Sequence, residues 1–369
     1  MEDSLNITFT GDIALSKYYA DAKVPDLVFS GKIKDFLGDS DACLFNIETA
    51  IGERKKVFQF SHVSSEEIFN LLNSLCPPER QIWNLANNHV MDIGNRGLEN
   101  TILWSQKMRS HTIGAGGNMR EASRPHYLCK NGIHVGVFSC GSPEEVCGCK
   151  VANENSPGVF SWNDIDLIKE RIEDIKKICR WCVVVVHCVN EFYGVPVPAI
   201  RDKIHNVLSL GADVIVCHHP HVVQGYEFYD NGNKAVFYSL GNFVFDTDYQ
   251  RSQRNTQIGC LLKINFYKDH FDFSHLGVKI GAGPNGPIEA CEIIPNFQEY
   301  TETTYLHLYK SSAWNSLLTD YRKRKFLYST RKRFLFPSLL AFLAICYNIS
   351  RKRICWKLLK AALFNNHNS

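Results

Sequence analysis

The sequence predicts an α/β fold of stacked layers, and three observations lead there. Short β-rich runs alternate with helical patterns from residue 7 to about residue 238. The run Val183-Val184-Val185-Val186 is uninterrupted, as a strand covered on both faces requires. Polar clusters recur directly after the strand-like runs and stay in phase with them. Composition agrees with this reading: 369 residues, 45% apolar and 21% charged, describe an ordinary globular chain and exclude collagen-like, coiled-coil and disordered classes.

Residues 7–10, 42–45 and 82–85 read as strands, followed by 135–138, 182–186, 214–217 and 235–238. Residues 66–75, 98–108, 165–179 and 199–210 repeat apolar side chains every three or four positions, the helical period, and Gly211 stops the last of them. Residues 256–266 and 271–280 read as a later antiparallel pair. The run Gly114-Ala115-Gly116-Gly117 is a phosphate-cradling loop or, more simply, a tight turn before a helix.

The polar clusters carry the chemistry. Gly11-Asp12, Asn46-Ile47-Glu48, Asn87-Asn88-His89 with Asp92, His187 with Glu191, His218-His219-Pro220-His221 and Ser239-Leu240-Gly241-Asn242 each close a strand-like run. In open α/β sheets, ligands bind outside the carboxyl ends of the strands, so these strands deliver carboxylates, amides and imidazoles to one crevice. That donor set suits Mn²⁺, Fe²⁺ or Zn²⁺ better than Ca²⁺ or Mg²⁺. A carboxylate shared by two ions would clamp a phosphoryl group and help activate water. Taken singly, each cluster is an ordinary turn or a satisfied core residue; their common phase is what points to a metal site. His62, His111, His126, His134, His205 and His270 have no cluster partner in the sequence and read as structural.

Fourteen cysteines fall mostly in apolar runs, where free thiols behave as small hydrophobes. Cys179 and Cys182 form a CxxC, and Cys147 and Cys149 a CxC, but neither has a second pair at zinc-ribbon spacing, so both read as structural. Residues 1–4 lack the basic region of a secretory signal, and the expected location is the reduced cytoplasm. Residues 321–369 hold twelve Lys/Arg and no Asp or Glu. They enclose an apolar run, 334–349, that contains Pro337 and falls short of the roughly 20 residues a membrane-crossing helix needs. The predicted boundaries are a body over 1–300 and a basic, partly apolar, helical extension over 301–369. This extension is expected to lie on an anionic membrane surface at its inner face or to pack on the body; no nucleic-acid recognition motif accompanies its charge.

The motifs also resemble a known family. Thr10-Gly11-Asp12, Asn46-Ile47-Glu48, Asn84-Leu85-Ala86-Asn87-Asn88-His89 with Asp92-Ile93-Gly94, and Gly114-Ala115-Gly116-Gly117-Asn118 are similar to those of the CapA family of poly-γ-glutamate capsule synthesis proteins. His187 to Glu191, His218-His219-Pro220-His221 and Tyr238-Ser239-Leu240-Gly241-Asn242-Phe243-Val244-Phe245-Asp246 extend the resemblance in the same order, over residues 5–285 or so. It implies a calcineurin-like metallophosphatase fold, with two mixed β-sheets sandwiched between helices in four layers.

The resemblance further implies that Asp12, Glu48, Asn88, His187, His219 and His221 hold one or two divalent ions (Mn, Fe or Zn), with Glu48 between them. His89 matches an acid or charge stabiliser held by Asp92, and Glu191 a base or an amine contact. Ser239 and Asn242 shape the rim or bind substrate. The implied function is hydrolysis of phosphoester or amide bonds in capsule, poly-γ-glutamate or cell-envelope polymer biosynthesis, on an anionic polymer or a phosphorylated or γ-glutamyl substrate. The alternative is a non-catalytic polymer-binding or synthase-accessory role for the same crevice. The superfamily's first motif is Asp-x-His, whereas Asp12 here is followed by Ile13-Ala14, and Cys217 stands where glycine is usual.

Overall fold

The computed structural model describes residues 3–14, 29–53, 61–142, 149–245, 247–281, 287–311, 314–315 and 319. The basic segment 321–369, Cys147 and Asp246 lie outside the described residues. Two main sheets are built from β1 (Leu5–Ala14), β2 (Ala42–Ile47), β3 (Gln81–Asn84), β4 (His111–Ile113), β5 (His126–Lys130), β6 (Ile133–Gly141), β7 (Trp181–His187), β8 (Val214–His218), β9 (Tyr226–Tyr229), β10 (Lys234–Phe237), β11 (Asn242–Phe245), β12 (Ile258–Phe266), β13 (Phe271–Ile280) and β14 (Ile288–Cys291). The longer helices are α1 (Gly31–Gly38), α2 (Glu67–Asn73), α3 (Asn95–Met108), α4 (Ile165–Lys176), α5 (Pro198–Ser209) and α6 (Glu302–Lys310).

The first sheet runs β14-β13-β12-β1-β2-β3-β4, with β11 also paired to β1. Its β1 to β4 half is parallel and its β12 to β14 half antiparallel. The second sheet runs β9-β10-β8-β7-β6-β5, parallel except at its two edge strands. Alternate strand residues point to opposite faces. Ile7, Phe9, Leu44 and Ile82 of the first sheet therefore meet Val135, Val137, Val183 and Val185 of the second in one core. Cys43, Phe45 and Trp83, from the other face of the first sheet, pack with Ile33, Leu37, Ile68, Phe69 and Leu98 of α1 to α3. On the far side, α4 and α5 cover β7 and β8. The result is a four-layer architecture, helix–sheet–sheet–helix, the layer order that the sequence resemblance implies. Burial on both faces is why the Val183–Val186 stretch shows no alternation: every residue of β7 is buried.

The predicted strands and helices appear within a few residues of their expected limits. One boundary differs with consequence: β1 continues past Gly11 to Ala14, because β11 pairs alongside its second half. The short strands β4, β5, β9, β11 and β14 and helix α1 were not legible in the sequence. Too short to show a period, these strands are sustained by ladder pairing. The described chain separates into the units Met1–Glu302 and Thr303–Ser369. In the second, Tyr305 stacks on Tyr309, whose ring centroid is 5.0 Å from that of Trp314. Among the described residues, no helix is long and apolar enough to cross a membrane.

Candidate metal centre

Backbone irregularities at the carboxyl ends of the strands aim the polar residues inward. The β1–β11 register shifts between Asp12 and Ile13, a bulge that re-aims the strand's side chains. Gly11 lets the two strands approach: a Cβ there would lie 2.4 Å from the Gly241 carbonyl oxygen. The Asp12 N–H donates to that same oxygen at 2.9 Å. Asn190, Phe192, His219 and His221 all have positive φ (73°, 69°, 95° and 57°), a costly conformation for non-glycine residues that clusters at functional sites. The Phe192 N–H donates to the Pro220 carbonyl at 2.8 Å and ties the two strained loops together.

Asp12 and Glu48 are both fully buried. Asp12 Oδ1 accepts a hydrogen bond from Asn46 Nδ2 at 2.7 Å, and Oδ2 lies 3.1 Å from His221 Nδ1. Glu48 Oε1 lies 3.5 Å from His187 Nε2, 3.8 Å from His221 Nε2 and 4.0 Å from His89 Nε2. His187 Nε2 stands 2.9 Å from Asn88 Oδ1 and 3.2 Å from His219 Nδ1. All six expected ligands are thus linked by short contacts. Two donor trios emerge, Glu48 with His219 and His221, and Asp12 with Glu48 and His187; within each, the ligand atoms lie within 4.8 Å of one another. Glu48 belongs to both.

The electrostatics favour a cation. Burial pushes Asp12 upward, but hydrogen bonds and charges from His218 and His221 outweigh it and hold the carboxyl far below its usual range. Burial and then the Asp12 charge push Glu48 well above its usual range. Burial opposes protonation of His221, yet the Glu48 charge and Asp12 raise it to about 10. Burial, then neighbouring His219, keep His187 well below the ordinary imidazole value, the neutral form that ligates metals. Neither Glu48 oxygen has a hydrogen-bond partner among the described residues, a costly condition for a buried carboxylate. The pocket therefore gathers protons around a carboxylate pair. A divalent cation would displace them, because metal ligands bind deprotonated. The oxygen and nitrogen donors present fit a divalent cation.

Other expected site residues fall into place around these. His89 Nδ1 is 2.7 Å from Asp92 Oδ2, which also accepts the His62 N–H. Glu191 is half-buried on the strained loop, and its charge acts on both Glu48 and His221. Asn242 is fully buried; its Oδ1 accepts from His221 Nδ1 at 2.9 Å and its Nδ2 donates to the Thr256 carbonyl at 2.9 Å. Ser239 is buried as well, its Oγ accepting the Gly241 N–H at 3.1 Å. The Gly117 N–H is occupied by Glu121 Oε2 at 2.9 Å, and Asn118 caps the following helical turn, so the glycine run is a turn.

Sequence reasoning missed several neighbours. His62, without a cluster partner in the sequence, has its ring edge-on to that of His89, 4.1 Å between centroids. His218, fully buried, puts Nδ1 3.3 Å from Asp12 Oδ1. Behind Asp12 runs a buried relay. Ser139 Oγ donates to Asn84 Oδ1 at 2.5 Å, Asn84 Nδ2 to Asn46 Oδ1 at 2.7 Å, and Asn46 Nδ2 to Asp12. Polar residues at inward strand positions were the available signal. The other histidines read as partnerless have partners too: His111 with His126, His134 with Cys129, His205 with Tyr229 and Tyr238, and His270 with Asp269.

Comparison with known proteins adds the lineage. The family described as bacterial capsule synthesis protein PGA_cap matches residues 6–247. The chain is 30% identical to the capsule biosynthesis protein CapA of Bacillus anthracis, over 71% of this chain and 65% of that protein. It is also 30% identical to the PGA biosynthesis protein CapA of Bacillus subtilis, over 72% of this chain and 69% of that one. A probable polyglutamine synthesis accessory protein of Mycobacterium tuberculosis is 25% identical over 56% of each. Among solved structures, a Mycoplasma pneumoniae phosphatase superposes with a TM-score of 0.46 at 11% identity, over 76% of this chain and 95% of that one.

Proposed function

The chain belongs to the bacterial capsule synthesis protein family, and from that premise we propose that it is a metal-dependent hydrolase of phosphoester or amide bonds in capsule polymer metabolism. One observation carries the reading: two buried carboxylates face three imidazoles, and the Glu48 oxygens have no hydrogen-bond partner among the described residues. Asp12, Glu48, Asn88, His187, His219 and His221 would hold one or two ions of Mn, Fe or Zn. Such an ion supplies Lewis acidity, polarising the scissile group and lowering the pKa of water.

The chain's own residues do the rest. Asp92, accepting from Nδ1, orients His89 so that Nε2 faces Glu48 and holds a proton for the leaving group. Asn242 fixes the ring of His221. Glu191, at the mouth, takes a proton from the nucleophile or pairs with a substrate amine. Phe192, its ring 6.1 Å from that of His221 and 5.5 Å from that of Tyr249, walls one side against water.

Ala14 favours a second reading. It is buried and paired with Phe245 where the superfamily has a ligand histidine, which suits a non-catalytic polymer-binding or accessory role. Elemental analysis of the isolated protein, then a screen of phosphodiesters and γ-glutamyl peptides, separates the two. The hydrolase reading expects bound Mn, Fe or Zn and turnover, with His219→Ala abolishing both. A metal-loaded protein inert on both substrate classes, with capsule formation surviving joint loss of Glu48 and His219, would sink it.

A further inference from the structure

His218 has no part in the function proposed above, yet it stands in the same crevice. Val214 and Val216 of β8 point into the core between the sheets, and His218, two residues further on, points the same way. It is the last residue of β8 and pairs in register with His187, the last of β7. Two imidazoles therefore leave the second sheet side by side. His218 is fully buried, and its Nδ1 lies 3.3 Å from Asp12 Oδ1. Asp12's own strand supplies no second donor here, since Ile13 and Ala14 are apolar and buried.

Neither ring nitrogen of His218 has an aligned hydrogen-bond partner among the described residues, and Asp12 Oδ2 has none either. In a neutral imidazole one nitrogen carries the proton and the other a bare lone pair. With the proton on Nε2, Nδ1 and the Asp12 oxygen are two acceptors in contact, a costly arrangement in the interior unless a positive charge sits between them. A short contact without alignment is also what two ligands of one cation show, because their lone pairs converge on the ion and not on each other. Nitrogen and oxygen donors, each about 2.0–2.2 Å from one tetrahedral ion, stand about 3.4 Å apart.

We propose that His218, through Nδ1, is a further ligand of the divalent ion that Asp12 holds. The proposal rests on the metal reading above and deepens it. Asp12 already shares a donor trio with Glu48 and His187; His218 joins it through its contact with Asp12, as a second imidazole from the neighbouring strand. The donor that β1 lacks at Ala14 is thus delivered by the opposite sheet.

Zinc(II) and cobalt(II) binding to the chelator-stripped, full-length protein tests this in His218→Leu, which has nearly the same volume and no donor. Removing a buried group that no hydrogen bond satisfies should leave the thermal midpoint of the metal-free protein unchanged or higher. Zinc affinity measured by calorimetry should fall at least about tenfold. The visible bands of bound cobalt(II) should shift, because they follow the donor set. A second variant, His218→Asn, exchanges the nitrogen for an amide oxygen and should shift the bands too, without abolishing binding. Zinc affinity retained in His218→Leu would make His218 a structural residue. Weaker zinc binding with unchanged cobalt bands in both variants would make it a partner of Asp12 that touches no metal. Either result overturns the proposal while leaving the metal reading intact, whereas a wild-type protein that takes up neither ion overturns both.

Discussion

Two clusters of buried charge stand in the same unit and differ in how their carboxylates are answered. Glu227 receives Arg201 through Nε at 2.9 Å and Nη2 at 2.7 Å, and the Tyr238 hydroxyl at 2.5 Å. Arg201 also pairs with Glu302, and His205 comes within 3.4 Å of Glu227. Glu48 is as deeply buried, yet among the described residues it finds only imidazoles at 3.5 Å or more and shares its surroundings with a second carboxylate. The first cluster is closed by groups the chain itself carries. The second, on the function proposed above, would be completed by a cation from outside. Buried charge is thus structural at one place and receptive at the other, and the presence of a guanidinium decides which.

The contrast is exposed to experiment from both sides. Arg201→Ala strands Glu227 in the interior and should cost about 3–5 kcal/mol in denaturant unfolding, while leaving the metal content at the wild-type level; loss of both together would erase the distinction. Asn46→Ala removes the group that orients Asp12, and metal affinity measured by calorimetry should fall about 10- to 100-fold. Ser139→Ala, two links further back along the relay, should cost less than Asn46→Ala, and the reverse order would disprove a directional relay.

A smaller effect concerns acid. Burial pushes Glu227 up, but hydrogen bonds from His205, Arg201, Tyr238 and Tyr229 outweigh it and lower the carboxyl from the usual 4.5 to about 2. A depressed folded-state pKa contributes stability that is complete above about 4.5 and fades as the pH falls towards 2. Thermal midpoints recorded across that window should fall less steeply for Glu227→Gln than for the wild type. Parallel curves would show that the carboxyl is not held low.

Much of this was legible in the chain because the signals are local. Helices α3, α4 and α5 announce themselves by a period of three to four, and β7 by its valine run. Each expected ligand sits at or just after the carboxyl end of a strand, and β-strand ends in a parallel sheet lie together, so the phase of the clusters foretold their meeting. His62 could not be read in this way. It belongs to no strand end and reaches His89 only because residues 63–64 pair with residues 50–51 beside the crevice. Nothing local in the sequence marks Arg201 as buried; β9 makes it so by bringing Glu227 within hydrogen-bonding reach.

By itself the sequence determined the layer class, the order of the strands along the chain and the kinds of donor each strand end presents. Those depend on backbone periodicity and side-chain chemistry, which act within a few residues. Only the tertiary structure decided that Glu48 belongs to two donor trios and that Asn46 rather than solvent holds Asp12. Such meetings span tens of residues of chain and are set by strand register and by which glycine lets a neighbour close in, quantities no local window contains.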